Sequence, residues 1–120
     1  MEKLTVDIVL PVYCKNIGQL DASVQKLVYY CRDHLPNYRW RVLLSINGNN
    51  ADAIILSAKR LSRIYREVDH LYSQQAGKGV GVLEGWKKSK AHIRVYMDID
   101  LSTYLQSLLP LVDAIRDGYD

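Results

Sequence analysis

Strand-like and helix-like periods alternate from one end of the chain to the other. Val6-Asp7-Ile8-Val9-Leu10 is an apolar run of strand length, closed by Pro11, whose ring removes a ladder donor. Leu20, Val24, Leu27, Val28 and Cys31 then recur at helical spacing until Pro36-Asn37 ends the element. Arg41 to Ile46 is a second strand, and the turn-forming Asn47-Gly48-Asn49-Asn50 follows it. Ile54, Ala58, Leu61 and Tyr65 mark a second helix with Asn50 as candidate cap. Val68 to Tyr72 is a third, weaker strand. Past Gly77-Lys78-Gly79, a third helix runs through Val80, Leu83 and Trp86, and Ile93 to Met97 is strand four. Ser102 or Thr103 caps a last helix carrying Leu105, Leu108, Leu109, Val112 and Ile115. Pro110 inside that pattern implies a kink, or a start near Leu108 or Leu109.

Strands alternating with helices predict an α/β fold of three layers, helix on sheet on helix, with a mostly parallel sheet. Right-handed crossovers and short connections favour a doubly wound strand order 3-2-1-4. The loops after strands one, two and four then share the carboxyl edge, where ligands of such sheets bind.

Composition narrows the picture little. In 120 residues, 48% hydrophobic and 24% charged positions make one Rossmann-like domain over 1–120. Gly118-Tyr119-Asp120 reads as the approach to a further strand, so the domain is expected to be truncated at its C-terminus. The net charge of +3 is spread from Lys3 to Arg116, which argues against a nucleic-acid partner. Its densest group, Lys87, Lys88 and Lys90, fits a solvated helix face, although a phosphate or an anionic membrane surface would also suit it. Cys14 and Cys31 lack CxxC spacing and have no histidine grouped with them, so reduced thiols are expected, not a zinc site or a nucleophile. No apolar run approaches signal-peptide or membrane-span length. A cytoplasmic location follows, with peripheral contact at the cytosolic face of a membrane left open.

Asp98-Ile99-Asp100 follows strand four directly. Side chains alternate along an extended segment, so the two acids point to one side and Ile99 to the core. Paired carboxylates at a sheet mouth suit Mg²⁺ or Mn²⁺, which keep waters and bridge to a diphosphate. Solvated loop acids are the plainer alternative. Gly77-Lys78-Gly79-Val80-Gly81 opens a helix, where free N–H groups and the helix dipole favour an anion. It is not a dinucleotide fingerprint, having Val82 where glycine is required, nor a P-loop, having Gly79 where Ser or Thr must follow the lysine. A tight turn with close helix packing fits the same residues equally well. Asn47 to Asn50 reads as a turn before it reads as a base-binding loop.

Taken jointly, Ile8-Val9-Leu10-Pro11-Val12-Tyr13, the Asn47-Gly48 turn, Gly77-Lys78-Gly79 with Gly85, and Val95 through Thr103 resemble the inverting family 2 glycosyltransferases. The Leu-Ser-Thr after the acids, Leu109-Pro110-Leu111-Val112 and Gly118-Tyr119-Asp120 are most similar to the enzymes that glycosylate dolichyl or undecaprenyl phosphate. The resemblance implies a GT-A fold, a UDP- or GDP-sugar donor, a divalent cation and a polyprenyl-phosphate acceptor. By position it implies Pro11 and Tyr13 beside the base, Asn47 in the base-binding loop, and Lys78 and Gly79 near the nucleotide. Asp98 and Asp100 fall at ribose, metal and diphosphate, with Asp100 the first metal ligand. The chain departs from the family at Cys14-Lys15, Ile46 and Tyr104, where relatives carry acidic residues. It spans only the donor-binding half, so no catalytic base is named. A non-catalytic remnant, acting as a binding or partner module, is the alternative these departures favour.

Overall fold

The computed structural model describes residues 2–101 and 105–118, apart from the Lys78 side chain. The expected capping residues Ser102 and Thr103, together with Tyr104, Tyr119 and Asp120, lie outside the described residues. Four strands, β1 (Thr5–Val12), β2 (Arg39–Asn47), β3 (Val68–Ser73) and β4 (Ile93–Tyr96), form one parallel sheet in the order β3-β2-β1-β4. The doubly wound order expected from the alternating pattern is the one adopted.

Helices α1 (Ile17–His34), α2 (Asp52–Ile64) and α4 (Leu108–Arg116) cover one face of the sheet, and α3 (Lys78–Lys88) covers the other. Alternation along each strand assigns the two faces. Val6, Ile8, Leu10 and Val12 of β1 join Val42, Leu44 and Ile46 of β2 and Ile93 and Val95 of β4 in the main core. Against them pack Leu20, Val24, Leu27, Val28 and Cys31 of α1, Ile54, Ala58 and Leu61 of α2, and Leu108 and Val112 of α4. Tyr38 Oη donates a 2.5 Å hydrogen bond to Asp113, fastening α4 to the α1–β2 connection.

On the other face, α3 lies close because its inward positions are small. A Cβ at Gly81 would stand 2.9 Å from Pro11 Cβ, and one at Gly85 only 2.6 Å from Val9 Cγ1. Ser45 Oγ adds a 2.6 Å bond to the Gly81 carbonyl. The most buried positions of α3 are therefore Gly81, Val82 and Gly85; of the Val80-Leu83-Trp86 stripe that the apolar spacing predicts, Leu83 is 56% exposed and Val80 and Trp86 are half-buried. Below them, Asp7 is buried and held by Arg41 at 2.7 Å and by Ser89 Oγ at 2.6 Å. The bonds to Asp7 hold the Arg41 guanidinium above the ordinary arginine range.

Two local expectations are corrected, and of the two alternatives for the last helix the start at Leu108 is the one adopted. Asn50 does not cap α2: the N-cap is Ala51 without a side-chain bond, and Asn50 instead takes φ 57°, a left-handed turn conformation that Asn tolerates. Tyr65 lies just past the end of α2, and its N–H closes the last turn on Leu61. The last helix is two pieces, a 3-10 turn at Leu105–Ser107 and then α4 from Leu108. Pro110 thus falls in the first turn of α4, where its missing N–H has no intrahelical partner to lose. Among the described residues no helix is long and apolar enough to cross a membrane.

Candidate functional site

The chain from β1 runs by way of β2 to β3 on one side of β1, and β4 lies on the other side. The order reverses between β1 and β4, and the region outside the carboxyl ends of the strands at such a reversal is the usual ligand position in an open α/β sheet. A cleft of about 520 Å³ occupies this position. Its walls are Pro11 and Tyr13 from the end of β1, Asn16 from the 3-10 turn Cys14–Asn16, Asn47 from the end of β2, Ala76 and Gly77 before α3, and Asp98-Ile99-Asp100 after β4.

Asp98 and Asp100 share this cleft because the alternation of β4 continues past its last ladder residue. The Met97 N–H still donates to Val9 O at 3.0 Å. Met97, Ile99 and Leu101 point into the core at 6%, 9% and 3% exposure, whereas Asp98 is half-buried and Asp100 exposed. The segment is anchored from behind by Ser23 of α1, whose Oγ donates to the Ile99 carbonyl at 2.7 Å. Both acids thus stand on a backbone fixed on its core side. Asp100 also borders a shallow groove against Gln19 and Lys26 of α1, and Asp98 a second one beside Tyr96 and Leu111.

Asn47 is 3% exposed and ties three elements together. Its Nδ2 donates to Val12 O at 3.1 Å, and its Oδ1 accepts the Gly77 N–H at 3.0 Å. Its amide is engaged within the fold and sets the floor of the cleft. The residues after it form the turn expected of them, with Gly48 at φ 90° and Tyr72 Oη donating to its carbonyl at 2.9 Å. Tyr13 presents a ring 47% exposed, and its N–H donates to Asn16 Oδ1 at 2.9 Å.

The glycine motif enters the site differently from its sequence reading. Gly77, at φ 122°, forms the cleft wall, and its positive φ is what requires glycine there. Gly79 is exposed, has open space around it, and lies outside the cleft lining. Lys78 begins α3, and its side chain lies outside the described residues. Of the positions expected at the site, Pro11, Tyr13, Asn47, Asp98 and Asp100 converge. Gly77 enters as the first residue of the glycine motif, whereas Asn16, Ala76 and Ser23 were not foreseen; an Asn four residues after a strand end is a recognisable turn signal, but Ser23 gives no local one.

The positions where the resemblance expects acids do not restore them. Ile46 is fully buried in the core, and Cys14 and Lys15 belong to the 3-10 turn; Asp52, the next acid along the chain after Ile46, sits exposed in the first turn of α2, outside the cleft lining. Among the described residues no group of three or more His, Cys, Asp or Glu side chains is placed to hold a metal. A cation here would rest on two carboxylates and complete its shell with ligand oxygens and water, which fits Mg²⁺ or Mn²⁺ and not zinc. No family model matches this chain, and no curated protein matches it.

Proposed function

We propose that the cleft binds a nucleotide diphosphate-sugar, of UDP or GDP, with Mg²⁺ or Mn²⁺ on Asp98 and Asp100, and that the chain is the donor-binding part of an inverting glycosyltransferase similar to family 2. The observation that carries this reading is the convergence of both carboxylates with Pro11, Tyr13 and Asn47 at the switch point of the sheet. A cleft of about 520 Å³ lies in the usual range for small-molecule sites. The exposed Tyr13 ring gives a base a surface to pack on, Asn47 fixes the floor, and the bare Gly77 wall lets a diphosphate approach backbone. When bound, the cation would neutralise charge growing on the leaving diphosphate. Inverting transfer needs a group to take the acceptor's proton unless that acceptor is already an anion. A polyprenyl phosphate meets this condition, and with it the proposal extends to the cytosolic face of a membrane.

The second reading is a binding or partner module without turnover. The full burial of Ile46, which leaves the base side without the acid expected there, favours it. Titration with UDP, GDP and their sugars, with and without Mn²⁺, separates the two. Metal-dependent binding supports the donor site; no binding at millimolar nucleotide supports the module.

A further inference from the structure

We propose that the opposite, amino-terminal end of the sheet carries a second site, a basic basin that binds phosphate groups. A concavity of about 430 Å³ lies there between β2 and the α3–β4 connection, lined by Arg39, Arg41, Lys88 and Lys90 with Thr5 and Trp40. Thr5 and Pro11 are six positions apart along β1, so the basin lies about 20 Å from the cleft. The two sites are independent.

The convergence of these cations is built by the fold. Arg39 and Arg41 are two apart on β2 and project to the same face. Lys88 and Lys90 flank Ser89, which is buried, donates to Asp7 Oδ2 at 2.6 Å, and accepts the Ala91 N–H at 3.2 Å. That clamp brings the two lysines over the strand ends. Asp7 is the lining's one acid, and it is sunk to 7% side-chain exposure beneath Arg41, which bonds both of its oxygens. Asp69 holds Arg41 from the far side, at 3.2 Å, and does not line the basin. Among the described residues no ion pair engages Arg39, Lys88 or Lys90. Lys87, by contrast, turns to Glu84 at 3.7 Å. The basin therefore shows solvent a single sign of charge from two segments of chain, and a concave surface of one sign concentrates the opposite ion. Phosphate suits it because an arginine fork and ammonium groups can share its several oxygens.

The test uses the whole chain in EDTA, so that the carboxylate cleft has no cation to hold an anion. Pyrophosphate is followed residue by residue through amide shifts, and vesicles of phosphatidic acid in phosphatidylcholine are followed by co-sedimentation. The expected result is shifts centred on residues 39–41 and 88–91, or binding to the anionic vesicles but not to phosphatidylcholine alone. Pyrophosphate binding alone identifies a soluble phosphate ligand; vesicle binding identifies a headgroup. The triple variant R39E/K88E/K90E loses about tenfold or more in affinity, while K59E/R63E/R66E, with the same charge change on and beside α2, keeps most of it. Circular dichroism checks that both variants are folded. No response to either probe, or an equal loss in the two variants, overturns the site. Because the cleft reading requires a divalent cation and the basin is tested without one, either can fail alone.

Discussion

Single atoms decide what the glycines of α3 do. Gly85 has no room for a methyl group against Val9, and Gly81 none against Pro11 and Asn47, whereas Gly79 has nothing within 4 Å. Gly85→Ala is expected to destabilise the fold by about 1–3 kcal/mol through overpacking. Gly79→Ala is expected to leave it unchanged or to stabilise it by up to about 1 kcal/mol, since alanine favours a helix and meets no obstacle. Urea denaturation of the two variants checks the contrast. Buried hydroxyl and thiol groups give a second prediction at this scale. Burial pushes the Cys31 thiol up to about 12, and burial with the bond to Asp113 pushes the Tyr38 hydroxyl up to about 12. Both protons are held more tightly folded than unfolded. Their contribution is complete below the unfolded values, near 9 for Cys and 10 for Tyr, and is lost as pH rises from there toward 12. Thermal melts from pH 8 upward should therefore fall, and fall less steeply in a Tyr38→Phe variant. At neutral pH a thiol reagent should modify half-buried Cys14 well before Cys31.

At the level of elements, the strands were legible because each buried strand is a short apolar run bounded by a turn signal. The order of the sheet followed from the handedness of its crossovers. The buried side of α3 was only partly legible, because a helix that packs through glycines has its closest contact at positions that carry no apolar signal. Leu83 misleads for that reason, while Gly81 and Gly85 carry the contact. The acids after β4 were readable from alternation alone, since Met97, Ile99 and Leu101 alternate with Asp98 and Asp100 beyond the last ladder residue. The turn at Asn47 was readable as a turn, but the use of its amide to join β1, β2 and α3 was not, because both partners are distant in sequence. Asn47→Ala should cost about 1–3 kcal/mol, for it leaves the Gly77 N–H and the Val12 carbonyl without their partner, and it should weaken nucleotide binding with it. Denaturation midpoint and affinity measured on the same preparation test whether the two fall together.

The whole molecule has two polar ends on one apolar sheet. Beyond the carboxyl ends of β1 and β4 lies a cleft with paired acids, and at the amino ends lies a basin of cations. Asp7 holds the second end together: removing its carboxylate strands Arg41 and frees Ser89. Asp7→Ala should destabilise the chain by about 2–3 kcal/mol, at or below the low end of the range for a buried pair because Arg41 is part-exposed and keeps Asp69. The first end carries the central claim, that Asp98 and Asp100 bind a nucleotide diphosphate through a divalent cation. Its most direct measurement is calorimetry of UDP and GDP binding in Mn²⁺ for the native chain and for Asp100→Ala. The account predicts binding that EDTA abolishes and that the variant weakens by about tenfold or more. Equal affinity of the variant and the native chain in Mn²⁺ would contradict it.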